Sequence, residues 1–498
     1  MENTGRIRKL PAPAARRILF GHGFDEDAEE QLRHITRVDQ AHLLMLCECG
    51  ILRHERATRL LAAIERLQDE NFAPLRQRPA TRGLFLLYED YLIETEGAEA
   101  GGILQTARSR NDLNATVLKM RLRAPWLRLL REGLRLQAVL LRRANRHAGV
   151  VMPIYTHGQA AMPVTYGHYL AGIATALSRD FEGLLAAARG IGESPLGAGA
   201  VAGTSFPIRT ARTARLLGFD VGPLNSVDAV ASRDLPVRVL AAAAICAVNL
   251  SRLATDLLQW TTAEFDFLRL PDDLVGSSSA MPQKRNPFLL EHVQGRAAAL
   301  PGALVQALGS MHASSFTNSI ATGTEAMRPV WRALRDVTEM SLLMRLVVGG
   351  AQPNSEAMLR RARSGFTNAT AFADRMVAEG GSDFRTAHHM IGESVLEALK
   401  RSGEKFETVA SSYVAERGIS VSFHDLDPAS VARSLEFGGG PGASSLRACL
   451  EHLHQQRALQ FSQKISQERA WTEAEEELKR TTREFLAAAP EATRTKEG

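Results

Sequence analysis

The sequence predicts an all-α fold built around a central bundle of long helices. Three observations lead there. Aromatic residues make up only 6% of a 498-residue chain in which Ala, Leu and Arg are abundant, a composition that favours helix. Residues 117–146, 164–189 and 235–267 repeat apolar side chains at three- and four-residue spacings, with polar ones between. No strand-type alternation interrupts this run, so the long helices are expected to pack on one another.

Taken in order, the first residues (MENTGRIRKLPAPAARR) are basic but lack an apolar core, unlike a secretory signal. Cys47 and Cys49 lie in a Leu/Met-rich segment and read as core thiols; with Cys246 and Cys449 they match neither a disulfide scaffold nor a zinc spacing. In 117–146, Pro125 is expected to kink the helix or divide it in two. The Ala-rich run AAAAICAV within 235–267 suits close helix packing, and the most apolar uncharged stretch, 239–251, is too short to span a bilayer. Gly/Ser/Pro-rich loops follow at 191–204, 271–287 and 310–324. After Ala351 the helices shorten, a Gly-rich break falls at 437–442, and the last forty or so residues read as a charged, helix-prone extension.

The composition is that of a soluble globular protein, with 45% hydrophobic and 23% charged residues. The net charge of +5 suits a small anionic substrate. Basic residues interleaved with aromatics, as a nucleic-acid surface needs, do not gather anywhere. A reduced, cytoplasmic protein with no membrane segment is expected.

Three loop stretches carry chemistry. In 276–287 (GSSSAMPQKRNP), serines precede Lys284 and Asn286 just ahead of a helix. Backbone amides, the lysine and the helix N-terminus can stabilise an anion, and the same field makes a serine hydroxyl a better base. A flexible serine loop is the plainer reading of the same residues. In 105–116 (QTARSRNDLNAT), two arginines flank Ser109 and could hold a dicarboxylate. A helix N-terminus capped by Thr106, Ser109 or Asp112 accounts for it equally well. In 155–159 (YTHGQ), a lone histidine is more often a hydrogen-bonded structural residue than a catalyst.

Together and in this order, the stretches resemble the signature regions of the aspartase/fumarase superfamily, in its argininosuccinate lyase branch. Thr106 to Asp112 match its T-A/G-R-S-R-N-D, Tyr155 to Gln159 its Y-T-H-x-Q, and Ser277 to Asn286 its G-S-S-x-M-P-x-K-x-N loop. Residues 194–219, 225–234, 383–393 and 427–433 extend the likeness, which covers about 18–460. The resemblance implies three domains per subunit, at 1–108, 109–355 and 356–460, followed by the extension at 461–498. It also implies a homotetramer whose active sites each draw on three subunits.

The implied reaction is a reversible β-elimination that splits an N-substituted L-aspartate into fumarate and an amine. Neither metal nor organic cofactor is called for. Ser278 stands at the family's catalytic base. Lys284 and Asn286 stand at the groups that hold the carboxylate gaining charge, beside Ser279 and Met281. Ser109, Arg110 and Asn111, with Thr156 and Gln159, would bind the fumarate-forming half. His157, matched with Glu291, either moves the amine's proton or only orders the site.

The chain also departs from the pattern. Ser277 replaces a glycine, Gln105 a histidine, Gly158 a larger residue, and Phe288 a common aspartate. On the amine side, a family Tyr, Gln and Lys become Phe316, Ala321 and Thr324. A guanidinium-bearing substrate loses three polar contacts there. An aminopolycarboxylate such as ethylenediamine-N,N'-disuccinate is therefore the expected substrate, with Arg328 and Arg332 as candidate cations for its second arm. Argininosuccinate, and an inactive structural homologue of the crystallin kind, are the alternatives.

Overall fold

The computed structural model describes residues 6, 9–20, 26–401 and 403–488. After a short helix at Pro13–Phe20, helices α1 (Glu26–Glu48), α2 (His54–Asp69) and α3 (Leu84–Glu96) pack around Leu32, Ile64, Phe72 and Tyr88. The bundle follows: α4 (Arg110–Arg146), α5 (Tyr166–Ala187), α6 (Asp234–Trp260), α7 (Phe288–Met311) and α8 (Arg328–Gly350). Helix α4 lies against α5 and α8, while α6 touches α5, α7 and α8. Leucine and alanine faces fill the space between them.

Helix α4 corrects the reading of Pro125. It runs unbroken for 37 residues with the proline inside it. The lost hydrogen bond and the clash of a mid-helix proline cost about 3 kcal/mol. Burial of Leu122, Trp126, Leu129 and Leu130 offsets this, and the Trp126 indole donates to the Leu184 carbonyl at 3.0 Å.

The absence of strands needs correcting too. Strands β1 (Val151–Thr156) and β2 (Gln159–Thr165) form an antiparallel hairpin between α4 and α5. Helix α5 therefore starts at Tyr166, where Thr165 caps it by accepting the His168 N–H at 3.0 Å. Helix α6 stops at Trp260, short of Phe267, which turns inward to join the rings of Trp260 and Phe265.

Helix α6 is longer and more apolar than its uncharged run suggested. By length and composition it is able to cross a membrane, yet 56% of its most apolar window is buried inside this protein. It behaves as the core helix of the bundle. Part of its outer face, with that of α7, stays apolar and open: Ile245, Val248, Val305 and Leu308 are all exposed.

Five shorter helices between Ser355 and Ser434 follow, and Phe372, Phe406 and Phe423 stack at their centre. A single 45-residue helix, α9 (Ala443–Ala487), then runs back along α5 and α4 to α1 and α2. Its Trp471 meets Trp126 and the Arg123 guanidinium, and Leu478 is buried in the first core. The boundary drawn at 460 falls inside this helix. Of the four cysteines, Cys246 is buried and the rest are partly so; burial pushes the Cys47 thiol up to about 11.

Candidate functional site

Ser109 is the N-cap of α4. Its Oγ accepts the Asn111 N–H at 3.3 Å, and Asp112 Oδ1 accepts the Ser109 N–H at 2.9 Å, closing a capping box. The capping reading thus holds for this stretch. It also leaves the positive end of a very long helix at Ser109, Arg110 and Asn111, where a carboxylate is favoured.

The arginines flanking Ser109 separate into two roles. Arg110 is exposed. Arg108 is buried, with Asp39 2.5 Å from its guanidinium; Asp39 also accepts the Tyr88 hydroxyl at 2.8 Å. Nearby, burial pushes the His42 imidazole down to about 3, so the ring is neutral and Nε2–H donates to the Thr106 carbonyl at 2.8 Å. Helices α1 and α3 therefore anchor the turn that carries Ser109.

Asp112 ties a second loop to this turn. Its Oδ2 accepts the N–H groups of Gly197 and Gly199, both at 3.0 Å, and Oδ1 also accepts that of Leu113. Gly199 has φ +62°, and a Cβ there would sit 2.6 Å from the Gly203 carbonyl oxygen, so glycine is required. Asp112→Ala is expected to strand the Ser109, Gly197 and Gly199 N–H groups and destabilise the fold by ~2–4 kcal/mol in denaturant unfolding. An unchanged midpoint would refute this role.

Asn111 reaches further. Its Nδ2 donates to the Ala200 carbonyl at 3.1 Å, and its Oδ1 accepts from Asn318 Nδ2 at 3.0 Å. The segment expected on the amine side thus meets the turn expected to bind the fumarate-forming half within one chain. Asn318 is the residue that sequence reading missed, since an asparagine in a Ser/Thr-rich loop looks like any other. Phe316 and Ile320 flank it, both exposed, and Ala321–Glu325 forms one π-helical turn, a feature frequent at functional sites. Arg328 lies 3.3 Å from Glu325 and Arg332 3.6 Å from Asp336, so each head is beside a carboxylate close by in sequence.

His157 sits at the tip of the β1–β2 hairpin. Thr156 pairs with Gln159, leaving His157 and Gly158 as a two-residue turn with φ +52° and +74°. Both positions need the left-handed region, as in a type I′ turn, which explains a glycine at 158. Thr156, His157 and Gln159 are exposed. Below them Tyr155 packs on Phe265 and Phe267.

The serine strap is a closed loop. Gly276 and Asn286 exchange backbone hydrogen bonds at 2.8 and 2.9 Å, and Asn286 Nδ2 donates to the Ser277 carbonyl at 3.3 Å. Arg285 fastens the strap to Asp272 and to the Leu270 carbonyl. Ser278 Oγ accepts the N–H of Met281 at 3.1 Å and of Ala280 at 3.4 Å. Two backbone donors aimed at one hydroxyl oxygen lower the cost of its alkoxide. Ser279, Met281 and Lys284 are exposed on the same loop, and Glu291 is exposed in the first turn of α7. Among the described residues no hydrogen bond or ion pair joins Glu291 to His157.

These groups fall at opposite ends of the bundle. Helix α8 runs parallel to α4: the Arg121 guanidinium lies over Trp331 near their starts, and Arg143 contacts the Ala351 carbonyl near their ends. Ser109 and Asn318 lie at the starts. The hairpin follows the end of α4, and the strap is rooted there too, with Leu274 packed on Gly350. At 1.5 Å per residue, α4 spans about 55 Å. One chain therefore joins the Ser109 turn to the amine-side segment but keeps both from the strap and the hairpin.

A lyase family model matches residues 86–302, and the argininosuccinate lyase C-terminal model matches 366–424. An argininosuccinate lyase of Methanoculleus marisnigri is 36% identical over 449 residues, covering 88% of each chain. Argininosuccinate lyase 1 of Shouchella clausii is 34% identical over 398 residues and covers 80% of each. Among solved structures, EDDS lyase in complex with formate superposes with a TM-score of 0.83 at 29% identity, covering 95% of this chain and 99% of that one. A class II fumarase from Schistosoma mansoni shares the fold, with a TM-score of 0.66 at 13% identity over 80% of this chain and 90% of its own.

Proposed function

This chain belongs to the argininosuccinate lyase branch of the aspartase/fumarase superfamily and is a fumarate-releasing carbon–nitrogen lyase; from that premise we propose which residues do the chemistry, how the site assembles and what amine leaves. The carrying observation is the strap, which holds Ser278 Oγ against two backbone N–H groups and keeps Lys284 and Asn286 on the same closed loop.

Ser278, as its alkoxide, takes a proton from the carbon next to the substrate carboxylate. The electron pair moves into that carboxylate, giving an aci-dianion beside Lys284 and Asn286. The pair then returns to form the double bond of fumarate as the carbon–nitrogen bond breaks. The nitrogen leaves with that bond's electrons and takes a proton, with His157 at hand to supply or position it. Ser109, Arg110 and Asn111 hold the other carboxylate, with Thr156 and Gln159 from the hairpin.

The site is completed in a homotetramer. The separation along α4 supports this, because residues about 55 Å apart in one chain meet only if copies pack side by side in opposed directions. The exposed apolar residues of α6 and α7 provide a face for such packing.

An aminopolycarboxylate such as ethylenediamine-N,N'-disuccinate is the proposed substrate. Loss of the family's polar residues at Phe316, Ala321 and Thr324 supports it, as does the 0.83 likeness to EDDS lyase. Argininosuccinate remains the second reading, favoured by relatives at 34–36% identity. Incubating the purified protein with each compound and following fumarate by its ultraviolet absorbance separates them. Release from ethylenediamine disuccinate at least ten times faster than from argininosuccinate is expected. The reverse order overturns the substrate, and silence with both speaks for an inactive structural protein.

A further inference from the structure

Several polar groups of the amine-side segment bond one another or close neighbours. Ser319 Oγ bonds the Thr322 hydroxyl at 3.1 Å and accepts the Thr322 N–H at 3.3 Å. Asn318 is held by Asn111, and the heads of Arg328 and Arg332 lie beside Glu325 and Asp336. Beside exposed Ser315, Thr317 and Asn318, the segment presents two large apolar side chains outward: Phe316 is 68% exposed and Ile320 72%. Both sit two residues from Asn318, and so beside the turn that carries Ser109 and Asn111.

A phenylalanine and an isoleucine this exposed, either side of the asparagine that bonds Asn111, are poorly matched to a guanidinium. They match carbon. We propose that this segment is an apolar amine subsite and that the protein makes and breaks N-alkyl and N-aralkyl aspartates, whose nitrogen carries a hydrocarbon group. The proposal rests on the elimination reading above. Ethylenediamine disuccinate meets the subsite with its two methylenes, whereas a benzyl or butyl group fills it with hydrocarbon alone.

In the addition direction the atoms balance without a further reactant. The nitrogen lone pair of a primary amine attacks one alkene carbon of fumarate, and the alkene electron pair moves onto the neighbouring carbon and its carboxylate. That carbon takes a proton from the Ser278 hydroxyl, and the ammonium formed gives one up. The product is the N-substituted aspartate.

The test uses the full-length protein with fumarate and, separately, benzylamine, n-butylamine, methylamine and glycine. Loss of fumarate absorbance gives the rate, and mass spectrometry identifies the product. The kcat/KM for benzylamine is expected to exceed that for methylamine at least tenfold, since added hydrocarbon in an apolar pocket gains roughly 10–200-fold. The double variant Phe316→Ser/Ile320→Ser should collapse that ratio at least tenfold, and Phe316→Leu should keep most of it. Both side chains are exposed in the single chain, and a thermal melt together with light scattering unchanged in the variant shows that the ratio reports the subsite and not fold or assembly. A preference for glycine over benzylamine, or an unaltered ratio in the double variant, overturns the proposal. If fumarate is also released from ethylenediamine disuccinate or argininosuccinate, the elimination reading survives that failure. If no amine adds and neither compound releases fumarate, both fall together.

Discussion

Ser278→Ala is expected to remove fumarate release while leaving the fold intact. A weak carbon acid cannot be deprotonated without a positioned base, and general bases contribute on the order of 10²–10⁴-fold to rate. Loss of the alkoxide also unseats the charge that Lys284 and Asn286 balance, so a fall at the upper end of that range is expected. Stability should barely change. The hydroxyl's recorded bonds go to two backbone N–H groups on an exposed loop, and surface substitutions of this kind move stability by about 0.5 kcal/mol. Fumarate absorbance and a thermal melt on the same sample check both halves. Turnover within tenfold of the parent protein, with an unchanged melt, would sink the assignment. Ser277→Ala is the control: it should retain far more activity, since at Ser277 it is the backbone carbonyl that the strap uses, accepting from Asn286.

The second large effect is a gain. Ser109→Ala and Ser278→Ala are each expected to be inactive when purified alone, and to recover activity when co-expressed or mixed through a reversible dissociation. The reason lies in α4, whose 37 residues hold Ser109 and the strap at opposite ends of the bundle. If a site takes its Ser109 turn from one copy and its strap from another, random reassembly makes both intact in roughly a quarter of sites. Regained turnover near that fraction of the parent rate is the expected result, read by fumarate absorbance with the oligomeric state followed by light scattering. No recovery, under conditions where subunits demonstrably exchange, would mean that each chain builds its own site.

Much of this protein could be read from sequence, for a local reason. A helical period recurs within a dozen residues, so the bundle helices announced themselves. Serine, lysine and asparagine on one short, contiguous loop could be picked out in the same way, although the residues alone read more plainly as a flexible serine loop and anion chemistry came with the resemblance. The capping box was legible within limits: Thr106, Ser109 and Asp112 were all admissible caps, and only the folded turn shows Ser109 as the N-cap with Asp112 bonded back to it. The hairpin was missed because β1 and β2 are short, carry Pro153 and Pro163, and hold several apolar residues without clean alternation.

What the sequence determined by itself is the helical class and the three chemical stretches. Each depends on residue type and near spacing. Tertiary structure decided the rest. It kept α4 straight through Pro125, because neighbouring helices bury the residues around the break. It buried Arg108 against Asp39 while leaving Arg110 in the open, a distinction that two arginines one residue apart from the same serine do not carry in their identity. It brought Asn318 to Asn111 across 207 residues of chain. And it set the Ser109 turn and the strap at opposite ends of one bundle, because a rigid helix turns separation in sequence into distance in space.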